Sequence, residues 1–481
     1  MPSVTGTVTR NITKLKYALI SLSFLSNILL AQPYQEPYRE LEDKTTALLS
    51  LEQAVIAAQS NDPWLVGNRH SQDAIESMSV AAGTLPDPKI SLGLANIAAD
   101  SFDFGQEAMT QFKVGVSQMF PRGDSLAIKQ QQLKLQASQF PYLREDRKAR
   151  VAVIVAKLWL DAFEAQESIA LIENDRALFE QLADIAQASY SSTVGKTRQQ
   201  DIIRAQLELT RLDDRLSKLK QKQEISQKRL SEWLSEYLNG RTQDQTTVTA
   251  ISDSSFLVAR LLPNIAMLEQ GLFTSKTDIT PQMLSSYFSK HPAVNALNLK
   301  IRTVEEGIKL AKQKYKPEWG VNASYGYRDT NPLGIDRSDL FSIGVSFDLP
   351  LFASNRQDKQ VQSAVSRTSA VKTEKWLLIR RFIASFEAIR SQLLRLNERQ
   401  NLYQERLLPQ MHDQAEASLT AYTNDDGDFS EVVRSRIAEL NASIDSLGIN
   451  VQRQKSIIQL NYFFMRYANE IVRQVFGEKN E

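Results

Sequence analysis

Chemistry needs nucleophiles, acids or ligands held close together, and this 481-residue chain offers few candidates. It contains no cysteine, which removes disulfides, thiolate metal sites and cysteine nucleophiles together. Its three histidines, His70, His291 and His412, stand far apart in sequence, and each reads as a packing or surface residue rather than a ligand. Eight scattered methionines add no cluster. Gly195-Lys196-Thr197 mimics the end of a phosphate-binding loop, but Tyr190 stands where the first glycine belongs and no strand precedes it. That segment reads as a helical turn. What remains is charge: Asp425, Asp426, Asp428 and Glu431 crowd one short stretch. Such carboxylates either solubilise a turn or, repeated around an aperture, favour cations. No catalytic, cofactor-binding or metal-binding set emerges. The chain is therefore expected not to be an enzyme, and any transport it performs draws its energy from a partner.

Bulk properties narrow the class. A formal net charge of +1 is too balanced for a dedicated nucleic-acid binder. Glycine (18) and proline (15) are sparse for the length, which predicts long uninterrupted elements. Residues 1–31 differ from the rest. Arg10, Lys14 and Lys16 precede an apolar run from Tyr17 to Leu30 that ends at Leu29-Leu30-Ala31, the layout of a secretory signal. An uncleaved anchor is the alternative, although a spanning helix needs about 20 apolar residues. Removal of the segment would take the charge to −2. The lack of cysteine suits an oxidising compartment and excludes N-terminal acylation on a cysteine. No other stretch resembles a membrane helix, so insertion into a membrane would fall to strands.

The positioning elements come as a repeat. Val114-Gly115-Val116-Ser117-Gln118-Met119-Phe120-Pro121 returns as Ile343-Gly344-Val345-Ser346-Phe347-Asp348-Leu349-Pro350, an offset of 229 residues, at which Pro63 also meets Pro292 and Pro88 meets Pro317. Tyr190 and Gly195 correspond to Tyr422 and Gly427 at an offset of 232. The expected organisation is a first repeat over 32–234, a Thr-, Ser-, Asp- and Gln-rich bridge over 235–280, and a second repeat over 281–481. Each repeat opens on a helical stretch (about 46–84 and 281–315), followed by two alternating segments and two very long helices around a tip (about 190–197 and 422–429).

The alternating segments, about 89–97, 111–119, 318–327 and 340–349, have strict period two, which predicts strands with one apolar and one polar face. A soluble sheet over a core and a membrane barrel around a wet lumen both produce that pattern. Strand length, aromatics near the ends (Trp319, Tyr327, Phe341 and Phe347) and a small polar opposite face favour the barrel. Four strands cannot close a barrel, so it would be shared between subunits. In the long stretches, Ile202, Ala205, Leu209, Leu212, Leu216, Leu219, Gln223, Ser226, Leu230 and Trp233 alternate at spacings of three and four, as do Val433, Ile437, Leu440, Ile444, Leu447, Val451, Gln454 and Ile458. This is a coiled-coil seam. An ordinary soluble hairpin, such as a periplasmic scaffold or adaptor, would share the seam but leaves the strands and the duplication unexplained. Pro141 interrupts one long stretch, and Pro409 is expected to bend another.

Strand pairs between duplicated long helices behind a signal segment resemble the TolC-like outer-membrane efflux family. The resemblance is carried by Leu85-Pro86-Asp87-Pro88, by Gly115 to Pro121, and by the tip motifs Tyr190 to Gly195, Gln200 to Gln206 and Tyr422 to Gly427. The Leu-Pro-Asp-Pro and Gln-x-Phe-Pro forms look most like the CzcC-type and CusC-type heavy-metal branch. The resemblance implies a mainly helical homotrimer with a 12-stranded membrane barrel and a 12-helix periplasmic barrel, docked to a periplasmic adaptor and an inner-membrane pump of the resistance-nodulation-division class. No cofactor is implied. The cargo would be heavy-metal cations, with drugs or other small molecules as the alternative. The resemblance assigns Asp201, Tyr422, Asp425, Asp426, Asp428 and Glu431 to a closing aperture, and Tyr190, Gly195 and Gly427 to hairpin tips that receive the adaptor. Two departures stand out: Arg434 replaces a frequent acid, and Phe429 replaces a frequent arginine two residues past the glycine. Both glycines are expected to end helices in the left-handed conformation.

Overall fold

One pair of the prolines that align between the repeats, Pro63 and Pro292, turns out to start helices. In a computed structural model that describes residues 48–191, 199–234, 256–270, 279–424 and 427–465, all within the unit Thr46–Glu481, Pro63 and Pro292 each occupy the first helical position. An unpaired backbone donor there would be an orphan anyway. The signal segment 1–31, most of the bridge 235–280, and Gly195, Asp425 and Asp426 lie outside the described residues.

The first repeat runs β1 (Leu48–Leu49), α1 (Leu51–Ser60), α2 (Pro63–Ala81), β2 (Lys89–Ala95), β3 (Gln111–Phe120), α3 (Ser125–Ala137), α4 (Gln139–Ser191) and α5 (Gln199–Leu234). After β4 (Leu257–Val258), the second runs α6 (Pro281–Phe288), α7 (Pro292–Gln313), β5 (Trp319–Tyr327), β6 (Leu340–Phe347), α8 (Gln357–Leu402), a π-helical turn (Tyr403–Leu407), α9 (Leu408–Thr423) and α10 (Phe429–Phe464). The opening stretches are thus two helices each, where the pattern suggested one. Caps explain the breaks. Ser50 and Gln53 form a reciprocal capping box on α1, Asp62 accepts from Trp64 N at the start of α2, Thr280 accepts from Met283 N at α6, and His291 Nδ1 accepts from Ala293 N at α7.

Proline also explains both interruptions in the long helices. α3 gives way to α4 at Ser138, three residues before Pro141, whose missing N–H would have bonded the carbonyl of Ala137. Before Pro409, Leu408 N bonds Tyr403 O one residue further back than in an α-helix, so the strain is absorbed by an inserted π turn.

β2, β3, β5 and β6 form one antiparallel sheet in that order, so the hairpins of the two repeats join through β3 and β5. Below it, α4 packs along α5, and α10 along α4 and α8. All the seam positions on α5 and α10 are buried or half-buried. A belt of apolar residues fills the middle of the helical part, where Phe288 meets Phe382, Phe386, Phe463 and Phe464 at ring distances of 5.6–5.9 Å. Chain 256–270 is pinned against this belt by side chains. Asn461 accepts from Leu268 N and donates to Ala266 O, Gln454 accepts from Ile265 N, and Gln166 donates to Val258 O. The polar Gln454 in an apolar seam therefore satisfies a backbone donor that burial would otherwise orphan.

Candidate functional site

The sheet presents two unlike surfaces. Across the register, Ile90, Val116, Ala323 and Ile343 form one row, and Leu92, Val114, Tyr325 and Phe341 the next. The large apolar side chains of this face are exposed, Ile343 by 71%. The rows between them are Lys89, Ser117, Asn322, Gly344 and Ser91, Gly115, Ser324, Ser342. β3 and β5 have 10 and 9 residues, the length of a tilted strand across a bilayer. Two strands stop short of the expected spans. β2 ends where Asn96 turns to φ 58, and β6 ends where the Asp348 carboxylate leaves the ladder to accept from Glu318 N and from the Arg122 guanidinium. Arg122 also donates to the carbonyls of Lys314 and Lys316, fastening the foot of β3 to that of β5.

The helical tips carry the remaining candidates. Tyr190 lies half-exposed in the last turn of α4. Asp201 sits in the first turn of α5 and is only 6% exposed, where the helix N-terminus favours a negative charge. Tyr422 packs edge-on against Phe429 at 5.6 Å. Both belong with Ile202, Ala205, Leu182 and Val432 to one apolar cluster, so the two repeats' tips are brought together. Phe429, where the resemblance expects an arginine, is 2% exposed, so a buried aromatic ring stands in place of a charged side chain.

Two carboxylates at the second tip are already engaged. Asp428 caps α10 by accepting from Ser430 N at 3.0 Å, and Glu431 pairs with Arg434 at 2.6 Å, the residue that replaces a frequent acid. Gly427 does not end a helix, because α9 stops at Thr423 with Asn424 as its cap. Glycine is required there by close approach: a Cβ would lie 2.5 Å from Tyr422 N and 2.8 Å from Ala421 C.

A charged cluster above the tip was not anticipated. Arg436 donates to Glu416 at 2.5 Å and to Glu439 at 2.9 Å, and His412 Nδ1 lies 2.7 Å from Glu439. The hydrogen bond and charge of Glu439 raise the His412 pKa, and the bond from Arg436 lowers that of Glu416. Burial, reinforced by Glu439, raises Asp175. The local signals of this cluster in sequence are the Arg436–Glu439 and His412–Glu416 spacings. The other histidines behave as packing and surface groups: His291 is buried among Phe382 and Tyr462, and His70 is exposed. Among the described residues, no group of three or more His, Cys, Asp or Glu could hold a metal, and no helix is long and apolar enough to cross a membrane.

No family model matches the chain, and no curated protein does. Solved structures do match. CusC, described in terms of transmembrane channel formation, aligns with a TM-score of 0.67 at 14% identity over 90% of this chain and 99% of its own. The CmeC outer membrane channel of Campylobacter jejuni gives 0.66 at 13% over 89% and 87%. The MtrE outer membrane channel of Neisseria gonorrhoeae, in its open state, gives 0.65 at 12% over 87% and 90%. At such identities the likeness is one of fold, and it extends along nearly the whole of each chain.

Proposed function

We propose that the chain is one subunit of an outer-membrane channel that passively conducts solutes, delivered by an inner-membrane pump and a periplasmic adaptor, to the exterior. The carrying observation is the two-faced sheet. Large apolar side chains are exposed on one face across all four strands, a contiguous surface of the kind soluble monomers rarely show, and lipid is a solvent that would cover it. In lipid, the open edges β2 and β6 would leave backbone groups unpaired at several kcal/mol each. Pairing β6 of one copy with β2 of the next removes both edges. Three copies give a 12-stranded barrel above a tunnel of long helices, with residues 1–31 as the export signal.

In this assembly Asp201, Tyr422, Asp425, Asp426, Asp428 and Glu431 surround the periplasmic aperture, and Tyr190, Gly195 and Gly427 mark tips that meet the adaptor. The inner-membrane partner is proposed to be a resistance-nodulation-division pump. Heavy-metal cations are the cargo suggested by the Leu-Pro-Asp-Pro and Gln-x-Phe-Pro motifs. Export of small organic molecules is the second reading, favoured by Lys89 and Lys113 on the polar face of the sheet.

The natural lack of cysteine makes the assembly directly testable. Single cysteines scanned along β2 and β6 are expected to cross-link between subunits in outer-membrane fractions, and the protein in mild detergent is expected to have the mass of a trimer. A soluble periplasmic monomer would replace the channel by the coiled-coil scaffold reading.

A further inference from the structure

Lys89 and Lys113 are the only charged residues in β2, β3, β5 and β6, and those four strands hold no carboxylate. Register puts both lysines on the polar face. Lys89 lies opposite Ser117, and Lys113 is flanked by Gly93 on one side and Gly326 on the other. Both lysines are exposed, and a Cβ at Gly93 would touch nothing within 4 Å, so the surface beside Lys113 is open. Three carboxylates at the strand ends, Asp348, Glu318 and Asp339, are engaged, while Asp87 lies two residues before Lys89, outside the strand. Arg122 engages Asp348 and stands 3.9 Å from Glu318, while Asp339 accepts from Tyr325 OH and Arg328 N. Among the described residues, neither lysine forms an ion pair. Position 113 sits four residues along β3 from the partner of Lys89, so the two charges lie in separate tiers about 13 Å apart.

We infer that Lys89 and Lys113 form the charge filter of the barrel, which passes small anionic solutes in preference to cations. The inference rests on the channel reading and, within it, sides with the small-molecule cargo against heavy-metal cations. Three copies place two rings of three ammonium groups along the lumen with no carboxylate between them, and rings of lysine favour anions. The tiers are further apart than the Debye length of about 8 Å at physiological salt, so each acts as a local ring. The same argument weighs against bare metal cations, which would meet six like charges on leaving.

The test uses the purified full chain in planar bilayers, with tripolyphosphate added on the side of the 96–110 and 328–339 loops. Wild type is expected to be blocked. K89Q/K113Q should raise the half-blocking concentration roughly tenfold, the effect of ~1.4 kcal/mol, and move the reversal potential in a KCl gradient toward cations. K89R/K113R should behave as wild type, which separates charge from folding. Equal block of wild type and K89Q/K113Q, with an unchanged reversal potential, overturns the filter while leaving the channel intact. A trimer that inserts and conducts nothing overturns the channel reading itself.

Discussion

The sheet and the helical seam use the same kinds of apolar residue to opposite ends. Ile343 in β6 is 71% exposed, whereas Leu440 in α10 is 2% exposed. Each lies on a regular apolar stripe, one of period two and one of period three and four. The seam finds its partner within the chain, as α10 packs against α4 and α8. Among the described residues, the sheet's apolar face finds none. What differs is the partner of each stripe: another helix for the seam and, in the proposed channel, lipid for the sheet.

The comparison breaks most visibly at the aromatic belt. Phe288→Ala removes a fully buried ring that touches four others, and the expected loss is about 3–5 kcal/mol, read as a large fall in Tm of the detergent-solubilised protein. A fall no larger than that of a surface substitution would mean the belt is not a continuous core. On the other stripe, Ile343→Arg should cost about 2–4 kcal/mol in the bilayer, the range for a cation at mid-depth on a lipid face. Urea titration in lipid vesicles gives this value, and indifference to the change would remove lipid as the solvent of that face.

A smaller effect, spread over a pH range, sharpens the helical side. Burial holds the His291 imidazole down to about 4, against the partial opposition of Asp146 and its bond to Tyr462 O. The unfolded chain, with an ordinary value near 6.5, binds the proton first. Stability from this group is therefore complete above about pH 6.5 and is lost as pH falls toward 4, by up to ~3 kcal/mol. Melting curves across that window should show the slope in wild type and a flatter profile in His291→Gln. Identical profiles would place the titration elsewhere.

Much of this architecture was legible because it is written in local periods. The strands, their two faces, the seams on α5 and α10 and the positions of the aligned prolines all follow from spacing along one element. Less legible were features that depend on which turn of one element meets which turn of another. In the sequence Gln454 is one more position of the seam; that it accepts from Ile265 N depends on chain 256–270 lying against it. The three-residue spacing of Arg436 and Glu439 is a local sign that the sequence analysis did not use, and His412 and Glu416 join them only because α9 folds back on α10. Gly427 was expected to supply a left-handed cap. Its requirement arises instead from contact with the backbone of Tyr422.

The sequence by itself determined element type, facial polarity and the absence of thiol chemistry, since those depend on residue kind and spacing alone. It also placed two lysines and no carboxylate in the strands. Only the tertiary structure decided that β3 pairs with β5, so that both lysines share one face of a single four-stranded sheet with two unpaired edges. It alone decided that Phe429 and Tyr422 from one repeat pack in the same cluster as Ala205 from the other. The physical reason is that hydrogen-bond ladders and apolar contacts between distant segments are chosen by mutual fit across the fold, and no spacing within a single segment records that fit.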